Sequence, residues 1–112
     1  MDTKKYNKVV RDKIPEIIEE SGKKYTLKQL DDASFLAEIE KKLIEEVNEY
    51  SESKDIEELA DILEVIYRIS ELRGVNSDEL DEIRKEKAEK RGKFDDNLFL
   101  IDAEKKWFRL RI

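Results

Sequence analysis

Hydrophobic residues recur every three or four positions along most of this chain, which is the spacing of amphipathic helices. The clearest stripe lies in residues 34–51 and consists of Leu36, Ile39, Leu43, Val47 and Tyr50. Residues 55–73 form a second long pattern, and their apolar arc is wide enough to touch neighbours on two sides. Because the link between the two patterns is short and polar, the sequence predicts a helical hairpin.

Two shorter helices are predicted before and after this hairpin. The first follows Asp12, which is a candidate N-cap, and ends at Gly22, a residue typical of helix C-termini. The last covers residues 76–91, because Asn76 and Glu79 have the spacing of a capping box. The pattern therefore predicts four helices.

Three segments contain residues typical of short β-strands: 24–30, 98–101 and 107–112. The expected fold class is accordingly mainly α, with four helices and short strands near residues 24–30 and in the C-terminal tail. A chain of 112 residues corresponds to one domain, so residues 1–112 are expected to fold as a single unit.

The amino-acid composition limits the classes of function that this chain can have. The formal net charge of -6 argues against a nucleic-acid polymer as partner, because such modules usually carry a basic stripe. The chain has no Cys and no His, which excludes thiol and imidazole catalysis. It shows no signal peptide and no apolar run long enough for a bilayer, so we expect a cytoplasmic protein without a membrane partner. A small core favours a homo-oligomer, either a dimer or a tetramer.

Five acidic residues of the two hairpin helices carry the candidate chemistry: Glu45, Glu46, Glu49, Glu58 and Asp61. At 100° per residue, Glu46 lies roughly 60° from the centre of the first stripe and Glu49 roughly 120° on the same flank, while Glu45 points nearly opposite. On the second helix, Glu58 projects among aliphatic residues and Asp61 lies at the edge of their arc. Carboxylates beside an apolar seam need a partner.

That partner is either a basic side chain or a divalent metal bound by Glu46, Glu49, Glu58 and Asp61. Oxygen ligands without His or Cys favour Mg²⁺ or Mn²⁺ over Zn²⁺. The alternative is a solvated helix face, because acidic residues at these spacings arise by chance in a chain with 29 of them.

Basic residues supply a second candidate element. Lys87 continues the apolar stripe of the last helix, so it is expected to face inward, where it either pairs with an acidic residue or contacts phosphate together with Lys90 and Arg91. Arg11 and Lys13 are further candidate phosphate donors, although charged N-terminal segments are commonly only solvated.

Taken together, the segments KLIEEVNEY and EELADILEV resemble the EExxE…ExxD signature of the all-α nucleoside triphosphate pyrophosphohydrolases, the MazG-like superfamily. Two further segments resemble one branch of this superfamily, the phosphoribosyl-ATP pyrophosphohydrolase-like, house-cleaning branch. They are NKVVRDKIPEIIEESGKK and ELDEIRKEKAEKRGKF. The resemblance covers residues 6–100. It implies a MazG-like four-helix core.

The resemblance also implies an activity, which is Mg²⁺-dependent cleavage of a nucleoside triphosphate between the α- and β-phosphates to give a monophosphate and pyrophosphate. It makes Glu46, Glu49, Glu58 and Asp61 the metal ligands. It gives Glu45 a supporting role and places Lys87 and Arg91 at the substrate phosphates.

Two other functions stay open at this point. One is a pyrophosphohydrolase dedicated to phosphoribosyl-ATP. The other is a non-catalytic helical interaction module, in which the acidic residues form surface salt bridges.

Overall fold

The computed structural model describes residues 2–104, and within them it contains four α-helices and no β-strand. The helices are α1 (Ile14–Glu20), α2 (Asp32–Ser53), α3 (Ile56–Leu72) and α4 (Ser77–Arg91). The expectation of a mainly α fold is therefore confirmed.

The strand predicted at residues 24–30 is wrong, because this segment has no regular secondary structure. Residues 98–101 likewise form no strand. β-prone residues form a strand only where a neighbouring strand satisfies their backbone groups, and neither segment has such a neighbour within the described part of the chain. The strand predicted at residues 107–112 lies outside the described residues.

Helix α2 is longer at both ends than its apolar stripe indicates. It begins after Asp31, whose carboxylate accepts a hydrogen bond from the Ser34 backbone N–H at 2.8 Å, a standard N-cap arrangement. At the other end Lys54 adopts the left-handed conformation (φ 59°), and its N–H donates to the Tyr50 carbonyl. Only Lys54 and Asp55 separate α2 from α3, so the turn between the helices is tight.

Helices α2 and α3 pack against each other as an antiparallel hairpin, and this is the main contact in the molecule. Ile39 of α2 and Val65 of α3 are the buried hydrophobic residues of the described chain, at 6% and 7% exposure. An ion pair between Arg73 and Glu40 (2.8 Å) joins the open end of the hairpin. The core is therefore a narrow seam between two helices.

The two shorter helices are attached more loosely. The predicted capping box at the start of α4 is confirmed: the Asn76 side chain accepts from the Glu79 N–H at 2.9 Å, and the Glu79 carboxylate accepts from the Asn76 N–H at 3.4 Å. Helix α4 packs against α3. Helix α1 is capped at Lys13 without a side-chain hydrogen bond, so the expectation that Asp12 serves as its N-cap is wrong.

Candidate metal centre

Three of the four predicted metal ligands come together at the α2–α3 seam. One carboxylate oxygen from each of Glu46, Glu58 and Asp61 lies within 4.8 Å of the other two. Glu46 is on α2, and the other two are one turn apart on α3, so their spacing of three residues places both on one face. The hairpin therefore gathers carboxylates that are distant in sequence.

Glu46 is the most buried charged residue of the described chain, at 6% exposure. Its Oε1 atom lies 3.0 Å from Nζ of Lys42, one turn earlier on the same helix. Lys42 therefore offsets part of the cost of burying this carboxylate. The sequence predicts that Glu46 lies on the flank of the stripe and faces the partner helix, and packing of α3 over it makes it part of the core.

Glu49 is exposed and lies outside this three-oxygen group, but the negative charge of the group still acts on the Glu49 carboxyl. The pKa of its carboxyl is raised, chiefly by repulsion from Glu46, with smaller contributions from Glu58 and Glu45. Glu49 has no cationic partner within 4 Å among residues 2–104, and neither does Glu58. The cluster therefore retains uncompensated negative charge.

The N-terminal segment lies over the other acidic residues. Lys8 pairs with Glu45 at 2.8 Å, and this hydrogen bond lowers the pKa of the Glu45 carboxyl. Arg11 pairs with Asp61 at 2.7 Å. Glu45 is thus half-buried and paired, rather than pointing freely into solvent as its helical position predicts. Arg11 reaches a carboxylate of the candidate metal centre itself.

The remaining basic candidates lie elsewhere on the surface. Lys87, Lys90 and Arg91 are all exposed and line one shallow, open depression on α4. The expectation that Lys87 faces inward is wrong, because α3 is the only described helix that α4 contacts, and Ile83 on the same stripe is exposed as well. Lys13 is exposed at the start of α1 and forms no ion pair within residues 2–104.

The donor set suits a hard divalent cation. Oxygens bound to one Mg²⁺ lie at most about 4.2 Å apart, because each Mg–O bond is about 2.1 Å. The three carboxylate oxygens lie within 4.8 Å of one another, so the side chains would move closer together to bind one ion. Three protein carboxylates also leave coordination positions for water and for phosphate oxygens, which is the usual arrangement for Mg²⁺.

Comparison with known proteins adds no assignment: no family model matches the chain, and no curated protein or solved structure matches it either. The fold and the site define this chain as a mainly helical protein with a cluster of three carboxylates that suits a divalent metal.

None of the helices in residues 2–104 combines the length and the apolar character needed to cross a membrane.

Two partners of the acidic residues were missed by reasoning from sequence. Lys42 is four residues before Glu46, and this spacing is a recognisable signal for a pair on one helix face. Lys8 is 37 residues from Glu45, and nothing in the pattern of the N-terminal segment indicates that contact.

Proposed function

We propose that this protein is a Mg²⁺-dependent nucleotide pyrophosphohydrolase that cleaves a nucleoside triphosphate between its α- and β-phosphates. The products are a nucleoside monophosphate and pyrophosphate. Mn²⁺ is expected to replace Mg²⁺, since both prefer oxygen ligands. We further propose that the protein acts in the cytoplasm as a homo-oligomer.

The observation that supports this proposal best is the convergence of Glu46, Glu58 and Asp61 on one point of the hairpin. These are three of the ligands implied by the resemblance of the two acidic segments to pyrophosphohydrolases. The uncompensated charge of Glu49 and Glu58 supports it further, because a divalent cation would relieve that repulsion.

The residues divide into three chemical roles. Glu46, Glu58 and Asp61 hold the metal, which when bound supplies charge neutralisation at the phosphates and activates the attacking water. Glu49, which lies beside this group without a cationic partner among residues 2–104, would accept a proton from that water. The water oxygen bonds to the α-phosphorus. The bond between the α-phosphorus and the oxygen that bridges the α- and β-phosphates breaks, and pyrophosphate leaves.

Basic side chains complete the proposed site. Arg11, which pairs with Asp61, would donate to a phosphate oxygen of the bound substrate. Lys13, Lys87, Lys90 and Arg91 are further candidates for phosphate contact, and in a single copy they lie elsewhere on the surface. Glu45, which pairs with Lys8, has a supporting role beside the three metal-binding carboxylates.

The second candidate function is a non-catalytic interaction module, and a specific observation favours it. Three of the five acidic residues already have cationic partners: Lys8 on Glu45, Lys42 on Glu46 and Arg11 on Asp61. A set of salt bridges that stabilises the hairpin needs no metal.

The test is pyrophosphate release from a panel of nucleoside triphosphates, with and without Mg²⁺. We expect metal-dependent release of pyrophosphate together with a monophosphate. Glu58→Gln and Asp61→Asn should abolish turnover and leave the fold intact by circular dichroism, while Glu64→Gln, an exposed residue on the same helix, should remain active. Release of orthophosphate, or full activity in both site variants, would contradict the proposal.

Phosphoribosyl-ATP belongs in the same panel. Turnover of this compound alone would identify a dedicated enzyme. No turnover of any compound, combined with no Mg²⁺-dependent thermal shift, would favour the interaction module.

A further inference from the structure

Residues 2–13 form a positively charged segment at the start of an acidic protein. Five of them are basic and two are acidic, whereas the whole chain has a formal net charge of -6. The segment contains no helix or strand and leads directly into α1. We call it the N-terminal strap, because it connects to both α2 and α3 on the acidic side of the hairpin.

Two ion pairs attach the strap to the hairpin, one on each helix. Nζ of Lys8 lies 2.8 Å from Oε1 of Glu45 on α2. Nη2 of Arg11 lies 2.7 Å from Oδ1 of Asp61 on α3. Asp61 is itself one of the three carboxylates of the candidate metal centre, and Glu45 is next in sequence to another, Glu46. The strap is therefore attached at the point where a metal would bind.

Little apolar packing holds the strap in place. Helix α1, which follows it, packs against none of the other described helices. Two of its larger apolar side chains face solvent, since Tyr6 is 62% exposed and Val10 is 42% exposed. A cavity of about 160 Å³ lies between residues 6–9 and α2, so the strap does not fit closely onto that helix. Its attachment is therefore mainly electrostatic.

The strap also supplies positive charge to the acidic residues of the hairpin. The pKa of Lys8 is raised, mainly by its hydrogen bond with Glu45 and less strongly by the charges of Glu49 and Glu46. The Lys8 ammonium group therefore interacts with several carboxylates and not only with its ion-pair partner. Because neighbouring carboxylates repel one another, a cationic segment beside them acts as an internal counter-ion.

We propose that the N-terminal strap is a displaceable counter-ion of the candidate metal centre, which covers the metal-free site and leaves the hairpin when a divalent cation binds there. A cation on Asp61 offsets the negative charge that holds Arg11, and it weakens the attraction that holds Lys8. Exposed ion pairs contribute little free energy, so an ion bound by three carboxylates can displace them. Ordering and release of a charged segment around a bound ion is a common form of molecular switch.

The coupling between the strap and the metal works in both directions. If a bound cation weakens the attachment of the strap, the attached strap weakens binding of the cation by the same factor. Release of the strap also makes Arg11 available to a phosphate oxygen. This regulation rests on the proposed function, because the strap controls how readily the metal enters the proposed site.

The first experiment measures the distance between the strap and the hairpin in the full chain by electron paramagnetic resonance. Because the chain has no Cys, Val10→Cys with Glu71→Cys introduces two exposed thiols for spin labels, one on the strap and one near the end of α3. We expect a narrow distance distribution without metal and a broad one with saturating Mg²⁺. The control pair, Glu52→Cys with Glu71→Cys, lies within the hairpin, so its distribution should stay unchanged.

Calorimetric titration of the same labelled protein with Mg²⁺ separates failure of the strap from failure of the metal site. Saturable binding with an unchanged, narrow distance distribution would overturn release of the strap and leave the metal site intact. A broad distribution in the metal-free protein would overturn the proposal as well, because the strap would then be detached from the start. No binding of Mg²⁺ would contradict the metal site and, with it, the release that the metal drives.

The second experiment compares Mn²⁺ affinity between two variants with the same change in charge. Lys8→Gln with Arg11→Gln removes both ion pairs of the strap. Lys4→Gln with Lys5→Gln removes the same charge from residues that form no ion pair within residues 2–104. We expect the first variant to bind Mn²⁺ at least about fivefold more tightly than the second, because its strap no longer competes for the site. Equal affinities would overturn the proposal.

Discussion

At the scale of single residues, charge repulsion is the main feature of the site. Glu46 raises the pKa of the Glu49 carboxyl, which means that the folded protein holds this proton more tightly than the unfolded chain does. Ionisation of Glu49 therefore lowers stability. The cost is absent below the pKa of an unfolded glutamate, about 4.3, and is complete above the raised pKa of the folded protein.

Glu49→Gln should accordingly raise the melting temperature of the metal-free protein at pH 7, because it removes a repelled carboxylate. The gain should disappear below about pH 4, where Glu49 is protonated in the wild type. Thermal unfolding followed by circular dichroism across this pH range checks the effect, with Glu64→Gln as an exposed control. A lower melting temperature for Glu49→Gln at pH 7 would show that the carboxylate is stabilising.

The ion pair between Arg11 and Asp61 gives a second residue-scale prediction. If Asp61 binds a metal, Arg11 competes for the same carboxylate, so Arg11→Gln should tighten Mn²⁺ binding in the absence of nucleotide. Exposed ion pairs contribute up to about 1 kcal/mol, so the gain should be at most about fivefold. Titration followed by electron paramagnetic resonance measures it. Lys13→Gln should change the affinity for Mn²⁺ less. A weaker affinity in Arg11→Gln would mean that Arg11 and the metal do not compete for Asp61.

At the scale of elements, strong periodicity and local capping explain what the sequence predicts well. The stripes of α2 and α3 and the capping box of α4 predict the helices, because these signals depend on neighbours within one helix. The bounds of α2 differ by two residues at each end, since Asp31 rather than a later residue forms the N-cap and Lys54 ends the helix in a left-handed turn.

Features that depend on tertiary contacts between elements are the ones that the sequence does not predict. Residues 24–30 have β-prone side chains but no strand to pair with, and pairing is a tertiary property. The contacts of Lys8 and Arg11 also depend on tertiary structure, because residues 2–12 have no period that fixes their direction. Helix geometry places Glu46, Glu58 and Asp61 beside one seam, as the sequence predicts, but the predicted group also contained Glu49, which lies outside the three-oxygen group.

The capping box provides the prediction at this scale. Asn76→Ala leaves the Glu79 N–H without its acceptor, so it should reduce the free energy of unfolding by about 1 kcal/mol. Ser77→Ala, which leaves the cap untouched, is the control. Urea unfolding of both variants checks the difference, and an unchanged midpoint for Asn76→Ala would mean that α4 contributes nothing to global stability.

At the scale of the whole molecule, we expect the stability of the fold to depend on the proposed association. The α2–α3 seam buries few hydrophobic residues, while Ile44, Ile56 and Leu63 stay exposed in a single copy. If the proposed homo-oligomer covers these residues, unfolding is coupled to dissociation, and the melting temperature depends on protein concentration.

We therefore expect the melting temperature to fall by several degrees when the protein is diluted a hundredfold. Calorimetry at a series of concentrations checks this expectation. A melting temperature independent of concentration over that range would mean that the single hairpin is stable by itself.

Glu46, Glu58 and Asp61 form the proposed binding site for a divalent metal. Isothermal titration of the full chain with Mg²⁺ and Mn²⁺ tests this site most directly, using wild type, Asp61→Asn and the exposed control Glu64→Gln. We expect saturable binding by wild type and by Glu64→Gln, and a loss of at least tenfold in affinity for Asp61→Asn. Equal affinities in all three proteins, or no binding by wild type, would contradict it and leave the acidic residues as partners in salt bridges.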